Sequence, residues 1–191
     1  MIYKIRPDLN HFQQFTLNQD EIEEKIGEDC LIFMDSQPTQ YLVQWQPLSV
    51  EFFDEYPGGD KNKQAPDIMP DLLGKLFVSA RAHQILQPLL INAGEWLPVL
   101  AAGKPAYLFN PLCLAEDRQA VDSASIARDQ WGMLQSISFD EDKLVDTPLF
   151  RTAADEYRHL YCQDMLKQAV EHAGLKGAVF SVDLRDRPSE T

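Results

Sequence analysis

Between Pro66 and Leu184 the sequence consists of short apolar blocks bounded by turn residues, and this pattern constrains the fold most strongly. Trp96 to Leu100 and Ala106 to Phe109 flank a turn at residues 102–105, which is typical of two strands joined by a tight connection. The same reading predicts further strands at Ile2 to Ile5, Cys30 to Met34, Tyr41 to Trp45, Gln135 to Phe139 and Ala178 to Leu184. The strands at 30–34 and 41–45 are expected to form a hairpin.

Two segments have helical rather than strand periodicity. Ser79 can cap a helix over about residues 79–92, in which Pro88 should produce a kink. A second helix is predicted over residues 163–172, with Gly174 as its stop signal. Strands that come in groups with two helices inserted predict an α+β fold with mainly antiparallel sheets. No internal repeat is visible in the sequence.

The length of 191 residues fits one domain, which should bury about 70% of the surface of its unfolded chain. We expect a single domain over residues 1–184, with a variable, strand-rich N-terminal part at 1–65 and a core part at 66–184. The polar residues 185–191 are expected to form a frayed tail.

The chain is strongly acidic, with 30 Asp and Glu residues against 17 Lys and Arg residues and a net charge of -13. A nucleic-acid partner is not expected, because binding to phosphate backbones needs a basic surface. A basic protein partner fits the charge better. Solubility alone also explains an acidic composition.

The compartment is expected to be the cytoplasm. The first residues lack the pattern of a signal peptide, and no run approaches the roughly 18 consecutive apolar residues of a membrane span. Cys30, Cys113 and Cys162 are widely spaced and form no CxxC pair, so neither a disulfide framework nor a zinc site of cysteines is expected.

Motifs for catalysis or metal binding are missing from the sequence. The four histidines, at positions 11, 83, 159 and 172, form none of the paired spacings of metal sites, and no serine lies in GxSxG. Asp117, Asp122 and Asp129 could serve acid/base chemistry or bind a cation, but their spacing does not match a calcium loop, and a solvated acidic loop explains them better. We therefore expect no enzyme activity, no cofactor and no metal.

The order of the central blocks resembles the family known as immunity protein eleven of bacterial polymorphic toxin systems, earlier catalogued as a domain of unknown function. The blocks that carry the resemblance are PDI at 66–68, a helix begun by VS at 78–90, EWLPV at 95–99, YLFNPL at 107–112, DxxxxDS at 117–123, LFR at 149–151 and GLKGAVF at 174–180. They cover about two thirds of the chain. The resemblance implies that these blocks are fold determinants, in which Asn110 holds a turn.

The resemblance further implies a cytoplasmic protein that binds a secreted toxin and blocks it in the producing cell. An acidic inhibitor gains association rate toward a basic toxin, such as a nuclease, through electrostatic steering. The residues expected to bind the toxin are Glu51, Phe53, Asp54, Glu55, Asp60, Asp140, Glu141 and Asp142. Two alternatives stay open, namely an adaptor or chaperone for a secreted effector and an enzyme that reverses the toxin's modification.

Overall fold

The computed structural model describes residues 1–32, 34–54 and 63–186, which form an α+β fold. The strands are β1 (Ile2–Pro7), β2 (Gln14–Leu17), β3 (Leu48–Phe53), β4 (Ile68–Pro70), β5 (Leu76–Ser79), β6 (Gly94–Ala101), β7 (Lys104–Pro111), β8 (Ala127–Arg128), β9 (Leu134–Ser136), β10 (Leu149–Phe150), β11 (Leu160–Gln163) and β12 (Ala178–Ser181). The helices are α1 (Gln19–Lys25), α2 (Ala80–Leu90) and α3 (Asp164–His172). The two predicted main helices are thus confirmed as α2 and α3, and Ser79 caps α2 by accepting from the Ala82 amide.

A six-stranded sheet in the order β2-β3-β6-β7-β5-β4 is antiparallel except for the parallel pair of β3 and β6. Each of its strands alternates between two faces, so that Leu97 and Leu108 enter one core while Trp96 and Phe109 pack on the other side. The edge strands β2 and β4 approach each other, because the Gln14 side-chain amide donates to the Pro70 carbonyl at 3.4 Å. The six-stranded sheet therefore curls around the core that contains Leu97 and Leu108.

A four-stranded antiparallel sheet in the order β10-β11-β1-β12 forms the second layer. Its face toward the six-stranded sheet shares a core with α2 and α3, to which Ile5, Leu86 and Val170 belong. Its opposite face packs Phe150 and Tyr161 under residues 113–145. A two-stranded sheet of β8 and β9 lies in the same part of the chain.

Two units of the fold follow the same plan, in which a hairpin leads directly into a helix. The first unit is β4, β5 and α2, and the second is β10, β11 and α3. In each, the amide of the helix-capping residue donates to the carbonyl just before the hairpin: Ser79 to Asp67 at 2.7 Å, and Gln163 to Pro148 at 3.2 Å. The two units thus form a structural repeat that is not visible in their dissimilar sequences.

The predicted hairpin at 30–34 and 41–45 is wrong. Within the described part of these segments the chain forms turns and irregular structure, and Phe33 lies outside the described residues. The acidic stretch before them forms the short helix α1, which was not predicted and which Asn18 caps by accepting from the Glu21 amide at 3.0 Å. The apolar residues alone suggested strands here, but the backbone of this segment forms hydrogen bonds with side chains from other parts of the chain.

Buried polar side chains hold the irregular segment 35–42 in place. Both carboxylate oxygens of Glu95 accept backbone amides, from Tyr41 at 2.7 Å and from Leu42 at 3.1 Å. The Asn110 amide donates to Glu95 and to the carbonyl of Thr39, each at 2.8 Å. These side chains replace the ladder of hydrogen bonds that a hairpin would supply.

Arg151 completes this polar network from the second hairpin unit, and its side chain is fully buried. Its guanidinium donates to the carbonyl of Ser36 at 3.0 Å, to Asn110 Oδ1 at 3.2 Å and to the carbonyl of Pro111. Gly74, at a φ of +74°, lies so close that a Cβ would stand 2.8 Å from Arg151 Cδ. Arg151 therefore joins the two hairpin units and the irregular segment.

The C-terminal segment after β12 is also anchored. Lys4 Nζ donates to the Arg185 carbonyl and to Asp186 Oδ1, each at 3.1 Å. Arg6 donates to the same Arg185 carbonyl at 2.6 Å. Of the predicted tail, Arg185 and Asp186 are thus held against β1, while residues 187–191 lie outside the described part.

Replacing Glu95 with Ala should lower the free energy of unfolding by about 3 kcal/mol or more, because two buried donors and one partly buried amide lose their acceptor. Urea denaturation measures this change. The matched control is Glu51→Ala, which removes an exposed carboxylate and should alter stability by less than about 0.5 kcal/mol. Equal effects of both variants would contradict the role assigned to the network.

Stability should depend on the pH through Lys75, whose buried ammonium donates to the Asp35 carbonyl at 2.7 Å. Burial lowers its pKa from 10.5 to about 8. Between these values the unfolded chain binds more protons than the folded one, so the folded state gains stability as the pH rises. Relative to Lys75→Met, the wild-type free energy of unfolding should therefore increase from pH 8 to 10, and a flat difference would contradict the shift.

Candidate interaction surface

The predicted binding residues belong to two separate parts of the fold. Glu51 and Phe53 lie on β3 in the six-stranded sheet, and Asp54 follows directly. Residues 140–142 lie at a 3-10 turn, Glu141–Leu144, whose Leu144 packs over the four-stranded sheet. Glu55 and Asp60 lie outside the described residues. The structure thus groups Glu51, Phe53 and Asp54, and attaches the other acidic group to a different sheet.

The alternation of β3 explains why Glu51 and Phe53 are exposed on one face. Leu48 and Val50 point into the core of the six-stranded sheet. Because side chains alternate along a strand, Glu51 and Phe53 face away from this core. On the neighbouring strand Thr16 pairs with Glu51, and Gln14 pairs with Phe53. The outer face of β2 and β3 therefore presents a carboxylate beside an aromatic ring.

A groove of about 370 Å³ lies next to Phe53, between β2 and the turn at residues 71–75. Phe53 is 40% exposed and Leu72 on the turn is 67% exposed, while Phe15 lines the buried wall. The turn is held by Asp71, whose Oδ1 accepts from the Leu73 and Lys75 amides at 2.9 and 2.7 Å. Exposed apolar groups on a fixed backbone are typical anchors for a protein partner.

The carboxylates beside this groove have no cationic partner within the described part of the chain. Among the described residues neither Glu51 nor Asp54 forms an ion pair or a side-chain hydrogen bond. Their charges are therefore free to act on an approaching partner. We call Glu51, Phe53, Asp54 and Leu72 the β3 surface.

The second predicted acidic group is already engaged in local ion pairs. Asp140 lies 3.3 Å from Lys143 Nζ, and Glu141 lies 2.6 Å from the Met1 amino group, with all four groups well exposed. Exposed pairs of this kind contribute little to stability, yet they offset the negative charge that a basic partner would meet. The two acidic groups therefore differ in what they offer a partner.

Leu72 was not identified from the sequence, although it contributes the most exposed apolar side chain of the β3 surface. A pair of leucines between Asp71 and Gly74 carries no distinctive signal. Only the approach of the β4–β5 turn to β2 places it beside Phe53. Its contribution could not be inferred without the tertiary structure.

The carboxylates considered for acid/base chemistry are not gathered in a cleft. Asp117 is exposed, and the Asp122 side chain accepts from the Ala124 amide at 3.0 Å at the start of a 3-10 turn. Of the histidines, His83 stacks on Tyr107 with ring centroids 3.7 Å apart, and burial lowers its pKa. Asp122 and His83 thus have structural contacts that account for them.

A possible metal-binding cluster is formed by Asp155, His159 and Asp186, which the sequence pattern did not suggest. One candidate ligand atom from each lies within 4.8 Å of the others. The spacing is invisible in the sequence because Asp186 reaches the other two only through the anchored C-terminal segment.

No protein-family model and no curated protein matches this chain. The family resemblance therefore rests on the order of the sequence blocks. Within the described residues, no helix combines the length and apolarity needed to cross a bilayer.

Truncation of two adjacent aromatic residues on β3 should lower stability by different amounts. Phe52 packs edge-on against the buried Phe77, with ring centroids 5.2 Å apart, so Phe52→Ala should lower the free energy of unfolding by about 2 kcal/mol or more. Phe53→Ala, on the exposed face, should cost less than about 1 kcal/mol. Thermal or urea unfolding of both variants checks this, and a larger loss for Phe53→Ala would contradict the assigned faces.

Proposed function

We propose that the protein is an immunity protein that binds a basic toxin through the β3 surface and blocks it in the cytoplasm of the producing cell. The observation that carries the proposal is the proximity of two exposed apolar anchors, Phe53 and Leu72, to the carboxylates Glu51 and Asp54, which have no ion-pair partner among the described residues. The family resemblance supports a toxin as the partner.

The chemistry of the β3 surface suits a basic protein. Its carboxylates lie on a chain of net charge -13, so long-range attraction raises the association rate with a cationic partner. Phe53 and Leu72 supply the apolar contact that lowers the dissociation rate, since a few such anchors carry most of the affinity of an interface. Charge and anchors thus serve different steps of binding.

The proposal predicts that a neighbouring reading frame encodes a toxin, and the C-terminal domain of that toxin is the partner used in the test. Charge reversal at two positions, Glu51→Lys with Asp54→Lys, should slow association at low salt by about tenfold or more. Stopped-flow or surface plasmon resonance measures the rate. Growth of cells that co-express toxin and variant should fall in parallel.

The matched control is Asp140→Lys with Asp142→Lys, which changes the net charge by the same amount on the other acidic group. Because Asp140 is already paired with Lys143, this variant should weaken binding less. If the control slowed association more than the β3 variant, the interface would lie at residues 140–142. Unchanged binding by both variants would remove both surfaces from the interface.

The apolar half of the surface is tested by Phe53→Ala and Leu72→Ala. Each should accelerate dissociation with little effect on association, because neither changes the charge. Thermal unfolding of the same samples shows whether the fold is intact. An unchanged dissociation rate in both variants would contradict the assigned anchors.

Two alternatives give different outcomes in the same assay. An adaptor or chaperone would bind the toxin yet leave it lethal inside the cell. An enzyme that reverses the toxin's modification would restore growth without a stable complex. Restored growth together with a stable complex supports the immunity protein.

A further inference from the structure

Asp155, His159 and Asp186 converge on a small cavity away from the β3 surface. The cavity has a volume of about 130 Å³ and lies between the turn of the second hairpin unit and the anchored C-terminal segment. His159 Nδ1 is 3.0 Å from Asp155 Oδ2 and 3.5 Å from Asp186 Oδ1. The Asp155 side chain is only 1% exposed and that of Asp186 only 10%, so the carboxylates are shielded from bulk water.

These distances match the spacing of ligands around a tetrahedral metal ion. Bonds of about 2.0 to 2.2 Å from zinc to nitrogen or oxygen place neighbouring ligand atoms about 3.3 to 3.6 Å apart. The two separations from His159 Nδ1 lie close to this range. Small side-chain movements would bring all three ligand atoms to one ion.

Among the described residues, a buried oxygen of Asp155 has no hydrogen-bond partner, which is an independent indication that the cluster takes a cation. Oδ2 accepts from the Tyr161 hydroxyl at 2.8 Å and contacts His159, whereas the buried Oδ1 has no partner. Leaving a buried carboxylate oxygen unsatisfied is costly and requires an explanation. A cation held by both oxygens of Asp155 would satisfy it.

The candidate ligands are themselves oriented by hydrogen bonds from neighbouring groups. The Tyr161 hydroxyl holds Asp155, and Asp186 accepts from Lys4 Nζ at 3.1 Å and from the Leu134 amide at 2.8 Å. Supporting bonds of this kind fix ligand orientation in metal sites. A free lone pair remains on each carboxylate oxygen that accepts one bond.

The arginines that line the cavity are directed elsewhere. Arg158 pairs with Glu156 at 2.7 Å, and Arg128 donates to the carbonyls of Gly132 and Ala154. Lys4 also donates to the carbonyls of Leu184 and Arg185. Two carboxylates therefore remain to balance a divalent ion against a single lysine.

We infer that Asp155, His159 and Asp186 bind a divalent transition-metal ion of the zinc type, with a water from the cavity as a further ligand. One imidazole nitrogen with two carboxylate oxygens suits zinc and its neighbours, whereas calcium prefers six to eight oxygen ligands. The ion replaces the proton between His159 and the two carboxylates. It also ties the second hairpin unit to the C-terminal segment.

The test uses the full chain, stripped of metal with a chelator and titrated with Zn²⁺ in a calorimeter. One ion should bind per chain, and Ca²⁺ should bind far more weakly. Asp155→Asn and His159→Gln should each weaken Zn²⁺ binding by at least the roughly 10- to 100-fold effect known for supporting residues. Co²⁺ should give the visible spectrum of a four-coordinate site, which His159→Gln should abolish.

The matched control is His11→Gln, because His11 contacts Asp8 at 2.8 Å in a similar pair but is 74% exposed. It should leave the affinity unchanged. If Asp155→Asn fails to fold by circular dichroism, His159→Gln decides, since that side chain is 21% exposed. The inference is overturned if the wild type binds no Zn²⁺, or if His159→Gln and His11→Gln bind it alike; the cluster would then be an ion pair that only holds the C-terminal segment.

Discussion

The buried polar network of Glu95, Asn110 and Arg151 is the constraint on which the rest of the structure depends. It supplies partners for the irregular backbone at residues 36–42, which would otherwise leave amides and carbonyls unsatisfied in the interior. Each member comes from a different block of the chain. The network therefore links separate blocks of the sequence in one packed interior.

The outer face of β3 lies apart from this network. The polar residues of the network are buried, whereas Glu51 and Phe53 on β3 contribute little to the core. Substitutions on the β3 surface can therefore be made without disturbing the scaffold. The same separation holds for Asp155, His159 and Asp186, whose cavity lies at the second hairpin unit.

Local patterns predicted α2, α3 and the pair of β6 and β7 correctly, because capping and periodicity act within a few residues. The hairpin predicted at 30–45 failed for the opposite reason. Its apolar residues, such as Ile32 and Tyr41, do enter a core, but they do so from turns held by distant side chains. Strand propensity reflects such tertiary surroundings more than an intrinsic preference.

The sequence by itself determined the α+β class, the two main helices and the acidic charge. Only the tertiary structure decided that Leu72 lies beside Phe53 and that Asp186 meets His159. The physical reason is that alternation and capping are short-range, whereas these pairs arise from the curling of a sheet and from buried lysine and arginine side chains that hold the C-terminal segment.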